Sequence, residues 1–227
     1  MELVYDALKN SILEGKWKPG ERKNANEIGR ILHVSRTPVI GASRLLEMEG
    51  LLKILPQVGL EASKLTSEEV EEMFHIRGVL EGLAAAQACR HLTDKELEKI
   101  EQLIRTGDQY VTEGNYKRFS EVNRELHEFI RIFSGMPHLI ALLGRYWNNG
   151  NRYSKYFNYM PELSVSTARD HHEILDALKK RDPQQVRAAV ERHSNRFLDA
   201  LSKYLRGKNN LEDTSSRLKW PDNRRRN

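Results

Sequence analysis

The sequence predicts a mainly α-helical protein. An N-terminal winged helix-turn-helix with a small β-hairpin wing is followed by an antiparallel all-α bundle. Three observations carry this reading. In the first 63 residues, apolar positions recur at helical spacing in three short runs, then switch to two strand-length runs. From Thr66 onward the pattern is helical throughout, punctuated by capping signals. The chain has 227 residues but one cysteine, Cys89, so a hydrophobic core and not a disulfide framework must hold it together.

The elements follow in order. Leu3, Val4, Leu8 and Ile12 define a first helix that ends near Gly15, and Lys18-Pro19-Gly20 is a turn. Ala25, Ile28, Ile31 and Leu32 suggest a second, short helix. Ser35 is a suitable N-cap for a third, which tolerates Pro38 in its first turn. Val39, Ala42, Leu45 and Leu46 are its apolar stripe, and Gly50 suits its C-terminus. LLKIL and VGLEA, separated by Pro56-Gln57, read as the hairpin.

In the second part, Thr66-x-x-Glu69 and Thr93-x-x-Glu96 have the form of capping boxes. Asp182-Pro183 places an N-cap acid before a proline at the first helical position. Gly114-Asn115, Gly135-Met136-Pro137 and Met160-Pro161 mark breaks. The expected helices span 67–91, 94–113, 116–134, 138–159, 164–180 and 183–205. The expected organisation is a winged helix-turn-helix unit over 1–63, a bundle over 64–206 and a polar, flexible tail over 207–227.

Composition narrows the function classes. No apolar run approaches the ~18 residues of a spanning helix, and the start lacks the basic-then-apolar plan of a signal peptide. Membrane and secreted classes are set aside, and a cytoplasmic location is expected. The net charge of +5 invites a nucleic-acid reading, but its distribution weakens it. Residues 1–63 hold nine Lys/Arg against eight Asp/Glu, residues 64–206 twenty-two against twenty-one, and residues 207–227 six against three. Most of the surplus therefore lies in the tail that ends Arg224-Arg225-Arg226.

The third helix carries the more specific signal. A helix-turn-helix places this helix in the major groove, with polar or basic side chains at its N-terminus. Ser35 and Thr37 hydroxyls can hold phosphates, and Arg36 can reach a guanine edge or a phosphate. The ordered phrases ILEGKWKPGER, IGRILHVSRTPV and LLEMEGLL go further. Over residues 2–62 the chain resembles the winged helix-turn-helix of the GntR family of bacterial transcription regulators. The resemblance implies a homodimer on a palindromic double-stranded operator, and DNA contacts from Ser35, Arg36, Thr37, Arg44 and the wing at Gly59. The chain departs from the family pattern at Ile40-Gly41-Ala42-Ser43, where Arg-Glu-Ala-Leu is usual, and at Asn26 and Val58. Modest intrinsic DNA affinity and reliance on the dimer are expected.

Among eight histidines, spacing singles out Asn123 and His127, four apart on one helix face. Antiparallel packing of the last two helices can bring His171 and His193 level. Three imidazoles and an amide oxygen would suit zinc, nickel, iron or copper, and the oxygen also admits manganese. A single helix histidine is more often a surface or hydrogen-bonded residue. Residues 68–205 also resemble the all-helical FCD ligand-binding domain, through IRGVLEGLAAAQA, NRELHEFIRIFSGMPHL and HHEILDALKKRDPQQVRAAVERH. This implies a divalent transition metal (zinc, nickel or manganese) on Asn123, His127, His171 and His193, with a small organic acid as effector. Asn123 stands where Asp is more frequent, and its amide adds no negative charge. Arg77 is either the effector's carboxylate clamp or the salt-bridge partner of Glu81, four residues on.

Two other classes compete. A metal-dependent bundle enzyme would need paired Glu-x-x-His motifs, and only Glu72-Met-Phe-His75 fits. Cys89, in AAAQACR, reads as a small core residue. The chain is expected not to be an enzyme. A regulator whose effector is the metal itself is the remaining alternative.

Overall fold

The computed structural model describes residues 2–154 and 160–217. Helix α1 (Glu2–Leu13), the two-residue strand β1 (Arg22–Lys23), α2 (Ala25–Ile31), α3 (Arg36–Met48), β2 (Leu52–Leu55) and β3 (Gly59–Ala62) form the N-terminal unit. Val4, Leu8, Ile12, Val39, Ala42 and Leu46 come from the predicted apolar stripes and meet in one core. Trp17 joins them at 1% exposure, and its indole nitrogen donates to the Glu21 carbonyl at 2.9 Å. Between α2 and α3 the chain turns sharply through His33 at φ 55°. A Cβ on Gly29 would lie 2.7 Å from the Val34 carbonyl oxygen, so only glycine allows the turn to close on α2.

The wing has one strand more than the predicted hairpin. β3 pairs antiparallel with β2 and also with β1, giving the order β1-β3-β2. Two charged residues have no alternation to read, so β1 is set by its partners: Gly20 N and Ala62 N bond to Ala62 O and Glu21 O at 2.7 and 3.1 Å. Ser35 also differs from expectation. It has the extended backbone of an N-cap, yet its side chain makes no capping hydrogen bond.

The second part is helical: α4 (Ser67–Ala88), α5 (Asp94–Thr112), α6 (Tyr116–Ile132), α7 (Pro137–Ser154), α8 (Pro161–Lys179) and α9 (Pro183–Arg217). The expected caps form. Glu69 N donates to Thr66 Oγ1 at 3.2 Å while the Glu69 carboxylate accepts from Thr66 N at 2.7 Å. Asp182 Oδ1 accepts from Gln184 N and Gln185 N at 3.0 and 3.1 Å. α8 begins at Pro161, three residues before the expected start, because a proline at the first helical position starts a helix as readily as it ends one. Residues 155–159, placed in the preceding helix by the sequence reading, lie outside the described residues.

The main core joins α4, α5, α6, α8 and α9 through residues such as Cys89, Ile100, Leu126, Leu178 and Val186. Cys89 is buried there, as its Ala-rich setting suggested, and burial pushes its thiol up. α4 lies close along α9: a Cβ on Gly78 would come within 2.9 Å of Ser194 Cβ, and one on Gly82 within 2.9 Å of Glu191 Cγ.

The last helix extends beyond the expected 205 and into the segment read as a tail. α9 runs on to Arg217, since Gly207 alone, costing about 1 kcal/mol against alanine, is too weak a breaker without a following proline. Residues 218–227, with Arg224-Arg225-Arg226, lie outside the described residues.

The two parts also touch through polar groups. Asn148 Nδ2 donates to Glu49 Oε2 at 3.1 Å and Asn149 Nδ2 to the Glu49 carbonyl at 2.7 Å; Arg145 donates to the Met48 carbonyl. Glu49 also accepts from the Tyr5 hydroxyl and from Lys9 Nζ, the latter at 3.1 Å.

Candidate metal centre and nucleic-acid interface

Each histidine is delivered by a different helix, and one-face spacing does the delivery. α6 is amphipathic, with Phe119, Asn123, Leu126, His127 and Ile130 on its buried side. His171 lies on the buried side of α8, and His193 on that of α9. Because α8 and α9 run antiparallel, the two rings come level, with centroids 5.1 Å apart. His127 stacks on His193 at 5.0 Å and meets His171 edge-on at 5.6 Å. Three ring nitrogens, one from each, lie within 4.8 Å of one another.

The donor set fits a metal. His127 Nε2 and His193 Nε2 face each other at 3.2 Å. Two ligands at about 2.0–2.1 Å from a tetrahedral zinc stand about 3.3 Å apart. Asn123 Oδ1 and His171 Nε2 are buried without a hydrogen-bond partner, which is costly unless something else engages them. Burial, reinforced by the neighbouring histidines, holds the His127 and His171 imidazoles well below their ordinary pKa of 6.5. They are therefore neutral at pH 7, the form that ligates.

Acidic groups stand behind the rings. His127 Nδ1 is 3.8 Å from Glu81 Oε2, and His193 Nδ1 is 3.5 Å from Asp170 Oδ2, at the outer limit of contact. Burial alone would raise the Asp170 carboxyl, but the adjoining His193 and the Arg196 guanidinium together hold it below the usual range. Partners of this kind orient metal-binding imidazoles. The sequence reading named Glu81 only as a partner of Arg77, and it missed Asp170, although Asp170 directly precedes His171. His172, by contrast, turns away to an exposed contact with Asp108 at 2.8 Å.

Arg77 realises one of its two sequence readings and leaves the other open. Its Nε donates to Glu81 Oε1 at 3.1 Å, with Glu81 buried and Arg77 partly so. Its guanidinium also lies 3.8 Å from the centre of the Trp147 ring. Arg77, Trp147, Ser120, Asn123, Thr167 and His193 line a cavity of about 30 Å³, room for roughly two waters. Trp147 had no sequence signal beyond an apolar position. Its Nε1 is buried without a partner, and its ring packs 5.2 Å from His127.

At the other end of the molecule, Ser35, Arg36, Thr37 and Arg44 are all exposed on or beside α3. Gly59 has φ 137°, and a Cβ there would lie 2.7 Å from the Lys23 carbonyl oxygen. The wing thus needs glycine for its own geometry. Val58, beside it, is 54% exposed.

A winged helix-turn-helix joined to an all-helical domain with a buried histidine cluster is the architecture of a transcription regulator. Sequence comparison gives the particular family. Residues 1–61 match the model for bacterial regulatory proteins of the gntR family, and residues 72–196 match the FCD domain. The HTH-type transcriptional regulator YdhC of Bacillus subtilis (strain 168) is 31% identical over 209 residues, covering 91% of this chain and 93% of YdhC. McbR of Escherichia coli (strain K12) is 28% identical over 81% of this chain and 84% of its own. The solved structure of E. coli McbR/YncC superposes with a TM-score of 0.76 over 89% of this chain and 97% of that one, at 24% identity. The chain belongs to the GntR family of transcription regulators, in its FCD group. It is a regulator and not an enzyme, which disposes of the bundle-enzyme alternative. Among the described residues, no helix is long and apolar enough to cross a membrane.

Proposed function

We propose that this chain binds a palindromic operator as a homodimer and releases or grips it in response to a small carboxylate held at a metal in the bundle. Residues 1–63 read DNA; residues 64–206 sense and dimerise; residues 207–227 add basic charge. Ser35, Thr37 and Arg44 hold phosphates, Arg36 reads a base edge, and the Gly59 turn sets the wing against the backbone.

Asn123, His127, His171 and His193 hold a divalent transition metal, with zinc, nickel and manganese the candidates. The observation that carries this is the convergence of three buried ring nitrogens within 4.8 Å beside the unpartnered Asn123 oxygen. A bound cation supplies an open coordination position for a carboxylate oxygen. Arg77, Ser120 and Thr167 line the cavity on the side from which that carboxylate comes, and Arg77 pairs with it when the Trp147 stack opens.

The size of the cavity favours a second reading. At about 30 Å³ it takes no organic acid unless Arg77 and Trp147 part, so the metal itself can be the signal. One experiment tests both. Operator affinity is titrated with zinc, nickel or manganese, then with carboxylates at fixed metal. A response to carboxylate only in the metal-loaded protein supports the first reading. A response complete with metal alone supports the second, and no metal retained at all overturns both.

A further inference from the structure

We propose that α7 carries the state of the cavity to the DNA-reading helix, with Trp147 as its input and Arg145, Asn148 and Asn149 as its output. The proposal rests on the reading of the histidine cluster as a metal and ligand site. Successive helical residues are about 100° apart, so Arg145 and Asn149, one turn apart, share a face and Trp147 lies opposite. That second face reaches into the bundle. Trp147 stacks under Arg77, packs on His127 and keeps a buried indole N–H without a partner, so an acceptor entering the cavity finds a donor there.

The output face grips the end of α3. The last carbonyls of a helix have no partners within it. Here the Met48 carbonyl accepts from Arg145 and the Glu49 carbonyl from Asn149 at 2.7 Å. The Glu49 carboxylate takes Asn148 from one side and Tyr5 and Lys9 of α1 from the other. One residue therefore joins α7 to both α1 and α3. Beside this clamp an open cleft of about 400 Å³, lined by Met48, Gly50, Leu65, Met73, Leu142 and Tyr146, separates the two parts. They are pinned by a few polar bonds and not packed solid, so a small rotation of α7 reorients α3 without crowding a core.

The test uses the full chain, as wild type and as an Asn148→Ala/Asn149→Ala double variant, each zinc-free and zinc-saturated. Zinc content is measured by elemental analysis, and backbone mobility by amide hydrogen exchange. Zinc should alter exchange in α7 of both proteins. In wild type it should also alter exchange at residues 45–51 by about fivefold or more, the lower end of typical coupling between sites. In the double variant that distant change should vanish while zinc is retained. Persistence of the change at 45–51 in the variant, or its absence in zinc-loaded wild type, overturns the relay and leaves the metal site standing. Wild type that retains no zinc overturns the metal reading, and the relay with it. If the double variant itself fails to hold zinc, Asn148→Asp, which sets a carboxylate against Glu49 with little change of shape, is judged by the same criterion.

Discussion

His127 and His193 meet nitrogen to nitrogen at 3.2 Å in a setting that keeps His127 and His171 neutral, and pH dependence follows. Unfolded, these imidazoles take protons near pH 6.5, while folded they resist until far lower pH. The unfolded state thus binds more protons between those limits, so stability is full above 6.5 and is lost as pH falls toward the folded values. For chelator-treated protein, the urea midpoint should drop between about pH 7.5 and about pH 5.5; a flat profile would contradict buried, neutral histidines. His171→Ala or His193→Ala should abolish metal retention while the circular dichroism spectrum keeps its helical form. Full metal occupancy in both variants would remove them as ligands. Arg36→Ala should weaken operator binding about tenfold or more, since a bidentate base contact contributes about 1–3 kcal/mol, and gel-shift titration reads this directly. At this scale Asn123 and His127 were legible because they share a helix face, and His171 and His193 through antiparallel packing and the resemblance to the FCD domain. The places of Glu81 and Trp147 beside His127 were not, because only tertiary packing brings α4 and α7 there, and Asp170 was not, because its partner His193 lies on another helix.

Helix starts were the most legible elements. Thr66 and Asp182-Pro183 carry their chemistry within four residues, whereas Pro137 and Pro161 read as breaks and open helices instead. Strand β1 was illegible because Arg22-Lys23 has no pattern apart from its pairing with β3. The end of α9 was misplaced because composition describes polarity, and a polar segment can still be helical. Two substitutions separate capping from packing. Asp182→Ala removes the N-cap of α9 and should cost about 1 kcal/mol, seen as a lower thermal midpoint with metal retention unchanged. Gly78→Ala puts a methyl group 2.9 Å from Ser194 Cβ, one residue from His193. It should push α9 outward and lower metal affinity more than Asp182→Ala does. Equal effects of the two on metal affinity would show that the seam does not set the position of His193.

At the scale of the whole molecule, most of the charge surplus that first suggests DNA lies far along the sequence from α3. Residues 218–227 hold Lys219 and Arg224–Arg226 against Asp222, a surplus of three. Removing them should lower affinity for random DNA, and flatten its salt dependence, more than it lowers operator preference. A larger loss on the operator would show that this segment reads sequence. The broad plan was legible because a core in each part follows from apolar spacing. The clamp at Glu49 was not, since its partners lie about a hundred residues away. The close seam between α4 and α9 has a further consequence, for how such chains diverge. Gly78 faces Ser194 and Gly82 faces Glu191 with no space to spare. Among relatives that keep the three histidines, positions 78 and 194, and positions 82 and 191, should exchange volume as pairs. α7 meets α4 under a similar constraint, since a Cβ on Gly150 would lie 2.8 Å from the Arg77 guanidinium, so position 150 should vary together with position 77.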